Sequence, residues 1–273
     1  MGSILDHGPL VKRITFGTFV ALLLWWVVLT LVFKSSLIQS NLIWAASYQV
    51  VAILGSIWGF LIARSWGGFK SFMGRVILFF ALGLMFQSIG QTVFSIYNLF
   101  LNVEVPYPSL ADIGFLGSML FYIAATTQLG KVSGAIISIK NLSKKLVALS
   151  LPIGMLCISY LMFLKNYSFD TTDPLKIFLD FGYPLGDAIY ISFTAVVYLF
   201  SKNVLGGLMK NKILFLLAAL VMQYIADFNF LYQSANSTWV NGSYGDLLYL
   251  LAYTLTAYGI IQLGITLKNI KNS

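Results

Sequence analysis

Apolar residues along this chain neither alternate nor form narrow helical stripes. They run on in eight long blocks, divided by short stretches of Lys, Ser, Asn, Asp, Gly and Pro. A run of about 20 apolar residues, coiled as a helix, crosses the roughly 30 Å of hydrocarbon in a bilayer. The blocks therefore predict eight transmembrane helices, at Thr15–Phe33, Leu42–Ile62, Val76–Tyr97, Leu110–Leu129, Leu146–Leu164, Ile177–Phe200, Ile213–Leu231 and Leu247–Leu267. No connection between them is long enough for a soluble domain. The expected fold class is all-α: a polytopic membrane bundle forming one integral membrane domain over residues 1–273.

Composition agrees. The chain is 59% hydrophobic and 10% charged, with a mean hydropathy of +0.85. So few charges cannot cover a water-soluble surface.

The net charge of +8 does not point to nucleic acid, because the basic residues sit in the short loops. Lys12 and Arg13 precede the first block. Lys34 follows it, then Arg64, Lys70 and Arg75. The next loop has none, and Lys131, Lys140, Lys144 and Lys145 come after. Lys165 and Lys176 follow, then Lys202, Lys210 and Lys212, another loop with none, and finally Lys268 and Lys271. One side collects fourteen and the other three. By the positive-inside rule both termini are expected in the cytoplasm. The acids do the reverse: Asp6 alone falls inside, while Glu104, Asp112, Asp170, Asp173, Asp180, Asp187, Asp227 and Asp246 fall in outer loops or outer parts of spans.

The first block is too long for a signal-peptide core and lacks a small-x-small cleavage site, so it is read as a retained span. The opening MGSILD lacks the Ser or Thr that a myristoylation signal requires. Cys157 is the single cysteine, which leaves no internal disulfide, and no Cys/His set suits a structural zinc ion.

Short motifs recur. Gln87-Ser88-Ile89-Gly90-Gln91 with Phe94 matches Gln223-Tyr224-Ile225-Ala226-Asp227 with Phe230, 136 residues later. Each is followed by an outer loop and a helix opening on an acid, Asp112 and Asp246. Tyr183-Pro184-Leu185-Gly186-Asp187 echoes Tyr107-Pro108-Ser109-Leu110-Ala111-Asp112. An aromatic follows each acid at i+3 (Phe115, Tyr190, Tyr249), a spacing that puts acid and ring on one helix face. Spans three to eight are accordingly read as three hairpins of one ancestral type, the middle one without the glutamine pair. Binding sites often lie at repeat interfaces in membrane folds.

In order and spacing, Tyr107–Asp112, Gly182–Asp187, Ala226-Asp227 and Gly242–Asp246 running on to Leu250-Leu251-Ala252-Tyr253 resemble the multi-pass membrane sensor region N-terminal to bacterial diguanylate cyclases and related signalling proteins. The resemblance covers Gln87 to Leu263, about two thirds of the chain. It implies a sensing role. Such proteins continue into a cytoplasmic output domain, whereas this sequence ends at Ser273, so the resemblance implies the sensing part without an output domain. It carries over no ligand, and shared fold does not transfer function.

For the acids two readings stay open. Ser109-x-x-Asp112 and Ser243-x-x-Asp246 fit capping boxes, and Pro184 with Asp187 fits a helix opening with Pro at its first position. There a carboxylate is favoured by about 0.3–1 kcal/mol. Alternatively, the three acids line a site. Asp227 escapes the helix-start explanation. It lies near the C-terminal end of its span, against the helix dipole, on one face with Gln223 at i−4. It must be protonated or paired across the bundle, with Gln87 and Gln91 as the expected facing amides. It is read as lining a polar cavity or making an interhelical hydrogen bond.

Most of the 15 Tyr, 6 Trp and 22 Phe are packing or interfacial residues. Tyr107, Tyr183, Tyr190, Tyr249 and Tyr253 travel with the acids. A ring-walled site floored by carboxyls and amides suits a small amphipathic or cationic ligand. The candidate ligand-binding set is Asp227, Gln223, Gln87, Gln91, Asp112, Asp187, Asp246, Tyr107, Tyr183 and Tyr249. Asn166-Tyr167-Ser168, Asn236-Ser237-Thr238 and Asn241-Gly242-Ser243 are read as chance glycosylation matches in a bacterial or archaeal protein.

Other classes are argued against. The last span has no lysine for a retinal, and the one histidine, His7, cannot supply paired haem ligands. No HExxH, GxSxG or phosphate loop is present. No enzyme, cofactor or metal site is expected. The expected function is a sensor-like or accessory protein of the cell membrane that binds a small ligand or partner helices at its outer half. A transporter or channel component with a titrating Asp227 is the alternative, and a structural subunit the third reading. Candidate partners are the lipid bilayer, a separate cytoplasmic signalling protein and a second copy of the chain.

Overall fold

The computed structural model describes residues 4–135, 142–165, 167, 171–201 and 209–272. Lys140, Lys202, Asp170 and the Asn166 and Ser168 of one glycosylation match lie outside the described residues. Among the described residues eight helices are long and apolar enough to cross a membrane: α1 (Leu5–Val32), α2 (Ile38–Ser65), α3 (Phe72–Leu101), α4 (Ala111–Val132), α5 (Ser143–Leu164), α6 (Pro174–Ser201), α7 (Lys210–Ala235) and α8 (Tyr244–Lys271). Each contains one of the expected spans nearly whole. Most run several residues further, because backbone hydrogen bonding continues through the polar interface where the hydropathy signal has already faded.

Local chemistry sets the ends. Ser71 caps α3 by accepting the Gly74 N–H at 2.9 Å. Past α2 the chain turns through Gly67 at φ 93°, a conformation that favours glycine. At α6 the expectation needs correction. Pro184 does not open this helix but lies inside it. The opening is Asp173-Pro174, ten residues earlier. Proline takes the first helical position, and the Asp173 carboxylate accepts the Lys176 N–H at 3.0 Å. Asp187 is therefore thirteen residues into the helix, about 20 Å from its start at 1.5 Å per residue.

Six helices close a ring in which each packs on the next: α2, α3, α4, α6, α7, α8 and back to α2. The other two are peripheral, α1 against α8 and α2, and α5 against α6. Burial follows this arrangement. Of the apolar window of α8, 72% lies inside the protein, against 17% for α1 and 6% for α5. Tryptophan indoles fasten α1, α2 and α8 to one another. Trp44 donates to the Leu22 carbonyl at 2.8 Å, Trp26 to that of Gly242 at 3.0 Å and Trp66 to that of Leu263 at 3.3 Å.

The ring has two unlike ends. Where α4, α6 and α8 begin, Asp112, Asp173 and Asp246 gather. At the opposite end Arg64, Arg75, Lys131, Lys210 and Lys268 gather. Towards that basic end the ring is filled by apolar side chains such as Ile77, Phe80, Leu129, Leu216, Leu217 and Ile260, none more than 1% exposed. Buried hydroxyls there, such as Thr126 and Thr194, bond carbonyls of their own helix, at 2.8 Å in both cases.

Helices α3 and α4 approach closely. A Cβ built on Gly114 would collide with the Gly90 backbone, whereas one on Gly17 of α1 would meet nothing within 4 Å. Gly114→Leu is expected to cost more than about 3 kcal/mol by overpacking, seen as loss of the monodisperse peak and a lowered melting temperature in detergent. Gly17→Leu should leave both unchanged.

Candidate functional site

At the mouth of the acidic end, carboxylates are held by hydroxyls from across the bundle. Asp112, in the first turn of α4, accepts the Ser109 N–H at 2.7 Å, as a capping acid does, and also the Tyr183 hydroxyl of α6 at 2.7 Å. Asp246, in the first turn of α8, accepts the Gly242 N–H at 2.6 Å and the Tyr48 hydroxyl of α2 at 2.9 Å. Gly242 stands at φ 80°, and a Cβ there would press on Asn41, so this turn can seat no other residue without strain. Above these, Asp180 takes the Tyr107 hydroxyl at 2.9 Å and the Tyr167 hydroxyl at 2.7 Å. Burial and the hydrogen bond to Asp180 raise the Tyr107 hydroxyl above the ordinary tyrosine range, so it stays a donor at physiological pH.

A second tier lies deeper. Asp227, eight residues before the end of α7, accepts the Gln223 amide N–H at 3.0 Å and the Tyr190 hydroxyl of α6 at 3.2 Å, with Tyr249 of α8 beside the same carboxylate. Asp187 of α6 is buried one turn before Tyr190, the residue that reaches Asp227, so the two carboxyls share this interior. Tyr122 of α4 is within the electrostatic reach of Asp227 as well. Three buried oxygens here have no hydrogen-bond partner: Asp187 Oδ1, Gln223 Oε1 and the Tyr122 hydroxyl. Native proteins leave few such atoms, and each costs about 1–3 kcal/mol.

The expected residues are thus sorted into distinct groups. Asp227, Gln223, Asp187 and Tyr249 come together in the deeper tier. Asp112 with Tyr183, Asp246, and Tyr107 belong to the mouth. The facing amides differ from expectation. Gln87 accepts the Tyr253 hydroxyl at 3.0 Å, and Gln91 donates to the Ala45 carbonyl at 3.0 Å, so neither bonds Asp227. Phenols from α6 and α8, with the glutamine one turn back on α7, reach Asp227 instead. The rings at i+3 also serve another acid than their own: Tyr190 follows Asp187 and Tyr249 follows Asp246, yet both sit on Asp227. Helix capping explains Asp112 and Asp246 but not Asp187. Tyr48 and Tyr122 carry no motif, and only the closing of the ring brings them in.

Chemically, the deeper tier offers carboxyl, amide and phenol oxygens in an otherwise apolar interior. Among the described residues no group of three or more His, Cys, Asp or Glu could hold a metal ion.

The mouth contacts should carry measurable stability. Tyr48→Phe and Tyr183→Phe each remove a hydroxyl donor to a carboxylate, at an expected cost of about 1.5–3 kcal/mol. The two sites share no partner, so the double variant should lose the sum, read from melting in detergent. A neutral effect for both would show that these carboxylates need no donor across the bundle.

Comparison with models of known protein families, with curated proteins and with solved structures gives no match for this chain.

Proposed function

We propose that this protein is a sensor-like or accessory module of the cell membrane, which binds a small ligand in its extracytoplasmic half and hands a shift in helix packing to a signalling partner in the cytoplasm. The observation that carries this reading is the polarity of the ring interior. Carboxyls, amides and phenols with unmet hydrogen-bonding capacity lie toward the acidic end, while away from it the unmet side-chain groups among the described residues are two hydroxyls, Thr15 on α1 and Ser201 at the last residue of α6. The basic end of the ring is filled by fully buried aliphatic and aromatic side chains. A binding site needs one open side; a transport route needs two.

The fourteen-to-three distribution of basic residues supports a topology with both termini and the plugged end in the cytoplasm, in a bacterial or archaeal cell membrane. The resemblance to cyclase-associated sensor regions fits the same role. Internal repetition supports a site at a repeat interface, and the packing favours a four-helix unit over the single hairpin. Tyr183 of α6 on Asp112 of α4 is answered by Tyr48 of α2 on Asp246 of α8. Those positions are related by offsets of 135 and 134 residues, close to the 136 that relates Gln87 to Gln223. Helices α1–α4 and α5–α8 then form two like halves, each pinning the other.

A transporter is the second reading, favoured by the depth of Asp187 along α6. Cysteine labelling separates the two. In a Cys157→Ser background, Tyr249→Cys is expected to react with a membrane-impermeant maleimide applied from outside intact cells, and Leu217→Cys to react from neither face before denaturation. Labelling of Leu217→Cys from the cytoplasmic face would favour transport. Protection of Tyr249→Cys from the outside reagent in folded protein would remove the binding reading.

A further inference from the structure

We infer that Asp187 and Asp227 together hold one small monovalent cation, an alkali metal ion or the head of a primary ammonium, through oxygen atoms alone. This rests on the outer-site reading above and names the ligand class for it.

The donors near Asp227 are already committed, the Gln223 amide N–H at 3.0 Å and the Tyr190 hydroxyl at 3.2 Å. Around Asp227 the atoms without a partner are oxygens: Asp187 Oδ1 and Gln223 Oε1, on side chains 3% and 1% exposed, and the hydroxyl of Tyr122; the one unmet amide N–H group nearby, Asn229 Nδ2, faces Gly245 toward the mouth. The charged group acting on Asp187 is Asp227, another carboxylate. An anion would add to that repulsion, and a neutral acceptor would leave the free oxygens unmet. A cation answers both. Two carboxyls with neutral amide and phenol oxygens form a hard, low-charge donor set. Calcium calls for 6–8 oxygens, usually with several carboxylates, and among the described residues no group of three or more acids is present.

The comparison of halves points the same way. With Tyr183 set on Tyr48, Asp187 and Tyr190 fall on Ala52 and Gly55; the Gln and i+3 motifs set Asp227 on Gln91 and Tyr249 on Phe115. The first half closes its place by packing, with Gly55 against Ala257 and Leu84. The second half has acids and phenols at those positions, which gives one site per chain.

The test is thermal melting of the purified full chain in detergent. It is titrated with sodium, potassium, methylammonium or choline chloride at constant ionic strength. One or more of the three small cations should raise the melting temperature saturably, by about 5 °C at high occupancy, and choline should not. Sodium or potassium as the active species identifies an alkali site, methylammonium an ammonium site. Asp187→Asn and Gln223→Leu should abolish the response, and Gly17→Leu, on the peripheral α1 with open space around it, should keep it. Without cation, Asp187→Asn should melt above wild type because it relieves the repulsion. If the wild type ignores all four salts, or responds equally to choline, the inference is overturned, whether or not the variants fold. It is likewise overturned if folded Asp187→Asn keeps the response. Outside labelling of Tyr249→Cys alongside a flat titration rejects the cation and leaves the outer site standing. Failure of both rejects the site itself.

Discussion

A carboxylate inside a helix bundle must be given hydrogen-bond donors, because apolar surroundings return none of the hydration it has lost. Here the donors come mainly as tyrosine hydroxyls reaching across from another helix. Tyr48 reaches from α2 to α8, Tyr183 from α6 to α4 and Tyr190 from α6 to α7. Phenol suits this role, since its ring packs with the apolar neighbours and only its tip is polar. The acidic end of the ring is therefore joined by directional contacts to its buried carboxylates, and the interior of the basic end by close packing, with Trp66 on the Leu263 carbonyl and Arg75 on Gln128 at its rim. This difference governs which part can rearrange. A hydrogen bond to a carboxylate can be exchanged for a ligand contact at little net cost, whereas a close-packed aliphatic plug has no alternative partner to take up.

How much of this was legible in the sequence depended on the range of the signal. Eight spans could be read because hydropathy is local and each of the eight helices is long and apolar enough to cross the full apolar layer. Capping at Asp112 and Asp246 was likewise written within four residues. Asp187 was misplaced for a related reason. Tyr183-Pro184 has the local form of a helix opening, but Asp173-Pro174 supplies a better one upstream, and Pro184 is then carried within the helix. The facing partners of Asp227 could not be read, because they depend on which helices neighbour α7 in the ring. That order skips α5, and no local pattern marks α5 as peripheral except its even hydrophobicity. Tyr122 and Tyr48 were invisible as site residues for the same reason: each looks like any other aromatic in an apolar run.

The duplication proposed for the two halves gives the asymmetry of the site a physical origin. In a symmetric pair of halves every pinning contact occurs twice, as the tyrosine–carboxylate pairs at the mouth do. A position near the common axis is free to diverge on one side, provided the other side retains the packing. Gln87 satisfies its oxygen with Tyr253, while its counterpart Gln223 spends its amide N–H on Asp227 and leaves its oxygen free. The same side chain is structural in one half and available in the other. Such divergence costs little stability on the side that keeps the scaffold, so binding capacity can be added without rebuilding the ring.

Under the proposed reading, the central place of α8 gives occupancy of such a site a path to the basic end. Tyr249 and Tyr253 stand one turn apart on α8, with the buried residues Ile260 and Leu263 further along the same helix. A helix transmits displacement along its axis because its backbone hydrogen bonds resist stretching, and it meets α1, α2, α3 and α7 on the way. A ligand that redistributes the phenols around Asp227 has to move Tyr249, and with it the helix that the indoles of Trp26 and Trp66 grip at its two ends. The close-packed basic end is also the part best able to carry that displacement, since closely packed side chains shift together rather than yield one by one.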